Sequence, residues 1–327
     1  MAPRVELSTA TEARPEPRPQ PLPVVVRLSL AELTVLSERL GGVELPVDLP
    51  GVDDGSDAGV GDRLEERLSG GIPSAGQHAR ARLAAARADA RERPQEVGLR
   101  LRELGLVDEG GTPVHDVVAA FGVLAGPEAL LVLDLALTRG ASEDRLRSWF
   151  AVVGSQVVQL STASGLTFEL AWYDVAHLPG ALARAVTVED ETVEASDLAS
   201  PLVLPFELFS DGTEAVRRGR QDLLAELVRI APRVTSVAGE EVPPEEVAPL
   251  VTSLEQASRG RLRVLVSAAQ PDAARRTAGV LSWLRVGDGW RSLAPVSRDG
   301  VPVVEISVVA PRDLARALAP VLAEVLR

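Results

Sequence analysis

Two distant stretches of the chain carry the same landmarks in the same order. Each begins with a strand-like run that leads into a Ser-Trp pair, continues to a glycine and a proline, and closes with an Ala/Leu-rich helix start. These landmarks are Ser148-Trp149, Gly165, Pro179 and 182–186 in the first stretch, and Ser282-Trp283, Gly300, Pro311 and 314–318 in the second. The repeat predicts a duplicated unit of three antiparallel strands followed by a helix, in which Trp149 and Trp283 are equivalent.

Apolar and β-branched runs supply the strands of each unit, with turn-forming segments between them. The runs are 129–137, 149–160 and 166–172 in the first unit and 261–268, 279–286 and 301–308 in the second. A three-stranded meander has an apolar face that it cannot bury alone. We therefore expect the two units to join in one sheet with helices packed around it. The alternative is chance similarity within a Leu/Ala-rich sequence.

Composition divides the chain around these two units. Residues 1–23 are rich in proline, which forbids helices and sheet ladders and predicts a disordered arm. Residues 24–186 are predicted to form an N-terminal half with a strand, helices and the first meander. An acidic linker over 187–212 leads to a C-terminal half, 213–327, with helices, the second meander and a terminal helix. Together the two halves predict one domain.

Local signals predict two of the helices. Ser29 and Glu32 have the S-x-x-E spacing of a capping box, directly after the β-branched run 24–28, so a strand should pass into a helix here. Residues 213–230 carry a leucine stripe at helical spacing and predict one continuous helix. A stripe of this kind usually faces a core.

Charge and hydropathy restrict the partners and the location. The formal net charge of −13 argues against nucleic acid as a partner, because a polyanion would be repelled. No apolar run approaches the roughly 20 residues that span a bilayer, and the N-terminus lacks the apolar region of a signal peptide. We therefore expect no membrane insertion and a cytoplasmic location.

Few residues have the types or spacings that common enzyme mechanisms require. The sequence contains no cysteine and no lysine, which excludes thiolate chemistry, Schiff bases and phosphate-loop lysines. His78, His115 and His177 are widely separated and match no zinc-binding spacing. Serine-hydrolase and dinucleotide-binding motifs are also absent. We predict no catalytic site, metal site or cofactor; a hydrolase that uses Asp, Glu and His is the enzymatic alternative.

Three further segments are landmarks of a known family. They are VRLSLAEL at 26–33, LRELGLV at 101–107, and GVLSWL at 279–284 with GDGW at 287–290. Together with the repeat, they resemble the EspG family of ESX (type VII) secretion-associated proteins. In that family the last stretch is a strand, a glycine turn and a strand.

The resemblance implies an α+β fold with a pseudo-twofold central antiparallel sheet, built from two related β-meander–helix units and flanked by helical bundles. It also implies a cytosolic chaperone that catalyses no reaction. Such a chaperone binds a PE–PPE heterodimer or a PPE-like substrate at the apolar tip of the PPE partner, keeps it soluble and directs it to the secretion machine. The arginine-rich, lysine-free composition is typical of a high-GC genome and agrees with an actinobacterial source. A monomer and a homodimer are both compatible with the sequence. A structural or regulatory dimerisation protein is the other alternative.

The resemblance also indicates where a partner would bind. The hairpin 138–147 corresponds to a family loop that contacts cargo, although an ordinary exposed loop is equally compatible. The C-terminal helical region contributes in the family as well. The two repeat tryptophans suit either a core or an interface, where tryptophan is favoured. The candidate partner-binding residues are Arg139, Arg145, Leu146, Trp149, Leu223, Leu227 and Trp283.

Overall fold

A computed structural model describes residues 25–43, 45, 84–85, 88, 92–139, 142–162, 167–188, 201–231, 234–236, 240–269 and 275–326. The predicted proline-rich arm, residues 1–23, lies outside these ranges, as does most of the region 44–93. Within them, the fold consists of one large sheet with helices on both of its faces.

Eleven strands form a single antiparallel sheet. In chain order they are β1 Val25–Ser29, β2 Ala129–Arg139, β3 Ser142–Val153, β4 Gln156–Thr162, β5 Thr167–Asp174, β6 Leu202–Pro205, β7 Thr235–Ser236, β8 Gly260–Ala269, β9 Arg275–Val286, β10 Gly289–Arg298 and β11 Val301–Val309. Their order across the sheet is β1-β5-β4-β3-β2-β8-β9-β10-β11-β6-β7. The predicted α+β class with a central antiparallel sheet is confirmed.

The helices include one that follows β1 directly, as the capping-box spacing predicts. Among the described residues they are α1 Leu30–Arg39, α2 Pro94–Glu103, α3 His115–Ala125, α4 Leu178–Ala185, α5 Phe206–Arg217, α6 Gln221–Ile230, α7 Pro244–Ala257 and α8 Asp313–Val325. The capping box at α1 is present: the Glu32 N–H donates to Ser29 Oγ at 3.2 Å, and the Ser29 N–H donates to the Glu32 carboxylate at 2.6 Å. The strand–helix opening is therefore confirmed.

The two halves of the chain contribute matching elements in the same order. In the described residues, each half has a first strand, helices, a four-stranded meander and a final helix. The first strands are β1 and β6, which pair with the last strands of their own meanders, β5 and β11; the meanders are β2–β5 and β8–β11. In the C-terminal half the short β7 lies outside β6 at the edge of the sheet. The halves meet where β2 pairs antiparallel with β8, from Ala129–Ala268 to Leu137–Gly260. This order gives the sheet its pseudo-twofold arrangement.

Each meander has four strands, so the predicted three-stranded unit is wrong. The run 149–160, expected to be one strand, is divided by a two-residue turn at Gly154 and Ser155 into the end of β3 and the start of β4. Gly154 has a φ of 54°, a left-handed conformation that suits a tight hairpin. In the second unit the apolar pattern missed β10, which follows the turn at 287–288, where the family resemblance implies a strand, a glycine turn and a strand.

The predicted continuous helix 213–230 is also wrong, because it is two helices. After α5 ends, Gly219 takes a left-handed φ of 68°, and α6 begins two residues later. Residues 202–212, which the sequence assigns to a linker, form β6 and the first part of α5. The other predicted boundaries between arm, halves and linker stay predictions.

Three apolar cores lie on the two faces of the sheet. The N-terminal core joins α1–α3 to β1 and β3–β5, and the C-terminal core joins α5–α7 to β6, β9 and β11. Both lie on one face, which we call the bundle face. The central core lies on the opposite face beneath α4 and α8, and it combines residues of both halves. Trp290 of β10 extends this joint packing, since its indole N–H donates to the Val186 carbonyl after α4 at 3.1 Å.

Candidate functional site

Four arginines lie in the middle of the bundle face, on the two strands β3 and β8 that flank β2. Strand β2 runs between β3 and β8, and its residues Asp134 and Ala136 are each opposite an arginine on both neighbours. Directly opposed residues of antiparallel strands project from the same face. α3 packs over β3 and β4, and α5 packs over β6 and β11, so β2 and β8 lie between the two helical bundles. We define the arginine groove as Arg145 and Arg147 of β3 with Arg261 and Arg263 of β8.

The arginine groove encloses a cavity of about 250 Å³, and among the described residues that line it Asp134 is the one acidic residue. Arg147 donates its Nε–H to the Asp134 carboxylate. Arg261 lies 3.5 Å from the carboxylate of Glu255 on α7. Among the described residues, Arg263 forms no ion pair. The cavity is therefore a positively charged site on the surface of an acidic protein.

Helix α6 directs an apolar stripe toward solvent. Leu223 and Ile230 are 44% and 63% exposed, and the half-buried Leu227 lies between them at helical spacing. About a quarter turn around the helix, Leu224 is buried in the C-terminal core, and the half-buried Leu227 packs partly against the same core. We call Leu223, Leu227 and Ile230 the α6 ridge. An apolar stripe on the outer helix of a bundle is suited to docking a partner.

Close packing at one glycine fixes the position of α6. A Cβ atom on Gly212 of α5 would lie 3.2 Å from Val251 Cγ1 of α7 and 3.4 Å from Leu224 Cδ1 of α6. The three helices also share the C-terminal core. The α6 ridge is thus presented by a helix whose buried side is held on both flanks.

The charged residues around the α6 ridge pair with one another. Arg220 donates two hydrogen bonds to the Asp222 carboxylate, at 2.9 and 2.7 Å, and these bonds lower the pKa of Asp222 to about 2. Arg229 pairs with Glu226, one turn earlier in the helix, and lowers the pKa of the Glu226 carboxyl. The ridge therefore has an apolar centre and an ionised rim, as protein interfaces commonly do.

Trp149 and Trp283, both predicted as contact residues, are each 1% exposed. Trp149 packs in the N-terminal core on the bundle face. Trp283 packs in the central core on the other face, with its ring centroid 6.2 Å from that of Trp290. The predicted equivalence of the two tryptophans is wrong, since they project from opposite faces. As placed, neither indole contributes to the exposed surface.

The other predicted contact residues are divided between the two surfaces. Arg145 belongs to the arginine groove, whereas the adjacent Leu146 projects from the other face and packs against the central core. Leu223 and Leu227 belong to the α6 ridge. Arg139 ends β2, and its side chain lies outside the described part of the chain.

Four residues of the two surfaces are missing from the predicted contact residues: Arg147, Arg261, Arg263 and Ile230. Arg147 is the last residue of the predicted hairpin 138–147. Arg261 and Arg263 lie in the alternation Arg-Leu-Arg-Val over 261–264, which places both arginines on one face of a strand. Ile230 continues the spacing of Leu223 and Leu227 by one more turn. Both patterns can be recognised in the sequence. However, only the strand register shows that Arg261 and Arg263 lie beside the arginines of β3.

A second cavity, of about 460 Å³, lies between α8 and the strands β9 and β10, and its lining is mostly apolar, with Trp283 and Val321 among the lining residues. No histidine in the described part of the chain lines either cavity. Across the described ranges, no three His, Asp or Glu side chains are grouped closely enough to hold a metal ion. No described helix is both long and apolar enough to cross a bilayer.

No protein-family model matches the sequence, and no curated protein matches it significantly. Among solved structures, the chain is similar to the type VII secretion system chaperone EspG5 of Mycobacterium tuberculosis, solved in complex with the PE25–PPE41 dimer. The TM-score is 0.51 and the sequence identity 13%, over 91% of this chain and 96% of that chain. The resemblance found in the sequence is confirmed at the level of the fold: this chain has the fold of the type VII secretion chaperone EspG5.

Proposed function

We propose that this protein is a cytoplasmic chaperone of type VII secretion, which binds a PE–PPE heterodimer or a PPE-like substrate and keeps it soluble until secretion. The observation that carries the proposal is the fold likeness, which spans 91% of the chain and relates it to a chaperone solved with its PE–PPE partner. Binding without catalysis agrees with this likeness.

The α6 ridge is the proposed contact for the apolar part of the substrate. Its exposed leucine and isoleucine side chains would cover apolar helical surface that otherwise self-associates. The flanking ion pairs Arg220–Asp222 and Glu226–Arg229 satisfy their own charges, so they need no partner groups when the ridge is covered. The ridge includes Leu223 and Leu227, two of the contact residues predicted from the sequence.

Co-expression with the PE, PPE or PPE-like proteins of the same genome tests the proposal. We expect a complex that co-elutes in size-exclusion chromatography, and we expect Leu223→Glu together with Ile230→Glu to abolish it. Leu99→Glu on α2 is the matched control, because Leu99 is similarly exposed at 54% but lies in the N-terminal half. Failure of every candidate substrate to co-elute with the wild-type chain would refute the chaperone proposal.

Solution mass, measured with and without substrate, separates this function from a dimerisation protein. A chaperone should change mass when substrate is added. A chain that forms the same homodimer under both conditions, and never binds substrate, would instead use its exposed surface for self-association.

A further inference from the structure

The arginine groove has a regular geometry that the strand register determines. Strands in a sheet are about 4.8 Å apart, and residues two apart along a strand are separated by about 7 Å. The backbones that carry Arg145 and Arg261 therefore lie about 10 Å apart across Ala136, and each has a second arginine about 7 Å further along its strand. The four side chains surround a floor formed by the small Ala136 and by Asp134.

This concentration of guanidinium groups is not required by the packing of the sheet. On the strand β2 between them, the four arginines are opposite only one carboxylate, that of Asp134, since Arg145 and Arg261 are opposite Ala136. Arg263 is exposed, and among the described residues it has no ion-pair partner. The face nearby is apolar where helices cover it, as at Leu130 of β2, which is buried in the N-terminal core.

The chemistry of the groove favours carboxylates. Guanidinium groups form short, often bidentate hydrogen bonds with carboxylates, and arginine is the usual residue for such recognition. Arg147 already makes this contact with Asp134 inside the groove. A spacing of about 7 Å also separates residues two apart in an extended peptide, so alternate acidic side chains would match successive arginines.

We infer that the arginine groove binds an acidic segment of a protein partner, with its carboxylates at alternate positions. The partner's identity rests on the proposed function: the segment would belong to the secretion substrate. The net charge of −13 disfavours a long polyanion such as nucleic acid, whereas a short acidic segment meets mainly the local positive charge of the groove.

Peptide binding tests the groove directly in the full-length chain. When the protein is titrated into a fluorescein-labelled peptide of alternating glutamate and alanine, the fluorescence anisotropy of the peptide should rise. The anisotropy of a peptide with glutamine in place of glutamate should not rise. Binding should weaken strongly near 1 M salt, where the screening length is about 3 Å. Equal binding of the two peptides would overturn the inference, and so would tighter binding of a single-stranded oligothymidine.

Variants locate the binding. Arg263→Glu should lower the affinity for the acidic peptide by about tenfold or more, because it removes a cation and adds a repulsive carboxylate. Arg263→Gln keeps most of the side chain and avoids repulsion with Asp134, so it tests the charge if the first variant folds poorly. Arg316→Glu is the control, because it makes the same change in net charge at an exposed position of α8. Helix α8 packs on the face of the sheet opposite the groove, so this variant should bind the acidic peptide like the wild type. Unaltered binding by both Arg263 variants contradicts the inference.

Substrate binding separates this inference from the proposed function. If substrate binds the wild type and both Arg263 variants equally, the groove is not its contact and the chaperone proposal stands. If no substrate binds but the acidic peptide does, the groove is a real site and the chaperone proposal fails.

Discussion

Trp149 and Trp283, which occupy matching places in the sequence repeat, project from opposite faces of the same sheet. The two hairpins explain the difference. Val153 ends β3 and Val286 ends β9, so counting back from these turns aligns Trp283 with Phe150. Phe150 and Trp283 both lie in the central core. The sequence match is thus displaced by one residue, and in a strand one residue exchanges the two faces.

Both tryptophans should matter for stability. Trp149→Ala and Trp283→Ala each remove a fully buried ring, so we expect the free energy of unfolding to fall by about 3–5 kcal/mol in urea titrations. The milder Trp→Phe variants should fold and bind substrate like the wild type. Loss of substrate binding in a stably folded Trp→Phe variant would show that the buried ring acts in recognition after all.

The contact between Gly279 and α8 has no room for a side chain. A Cβ atom on Gly279 would lie 2.9 Å from both Val321 Cγ1 and Val321 Cγ2. Gly279→Ala should therefore displace α8 from β9 and lower the free energy of unfolding by about 1–3 kcal/mol, as overpacking usually does.

Two further variants control for this effect. Gly279→Ala with Val321→Ala should recover part of the loss, because the clash is removed. Gly122→Ala in α3 introduces the same methyl group where nothing lies within 4 Å, and it should be neutral or stabilising. If Gly279→Ala is as stable as the wild type in chemical denaturation, the close approach of α8 is wrong.

The capping box at the start of α1 supplies a measurable share of stability. Ser29→Ala removes the acceptor for the Glu32 N–H, and this should lower the free energy of unfolding by about 1 kcal/mol. Ser297→Ala, at an exposed position of β10, should change it by less than about 0.5 kcal/mol. Equal urea midpoints for the two variants would contradict the cap.

The Arg220–Asp222 pair should be visible in a pH titration. Its hydrogen bonds lower the pKa of Asp222 to about 2 in the folded state. Because this folded pKa lies below the ordinary value of about 3.9, the pair stabilises the fold above about pH 4, and this contribution is lost as the pH falls toward 2. In NMR titrations, Arg220→Ala should raise the pKa of Asp222 toward its ordinary value. An unchanged pKa in that variant would exclude the pair.

Local signals predicted the parts of the fold that depend on neighbouring residues. The capping box at Ser29 and Glu32 gave the correct end of β1 and start of α1. The turn at Gly154 was missed because Gly154 and Ser155 are flanked by the apolar runs 149–153 and 157–158, which are buried on both faces and show no alternation, so the two strands were joined into one. The break at Gly219 was missed because the leucine stripe continues beyond it in α6.

Prediction of the arginine groove and of the α6 ridge requires sequence information of different range. The α6 ridge is a property of one helix, and its spacing is present in the sequence. The arginine groove requires β2 to pair with both β3 and β8. The β3 pairing is local, but the β8 pairing joins residues from the two halves of the chain, and no pattern near Arg263 specifies it.

The single strand pair β2–β8 connects the two halves of the sheet. A polypeptide with only one half would leave that long edge open, and an open edge is a template for another chain. The edges of β2 and β8 are related by approximate twofold symmetry, so a fragment with one half is expected to pair with a second copy of itself. Fusion into one polypeptide turns that bimolecular encounter into an intramolecular one, so the joined sheet persists at any dilution.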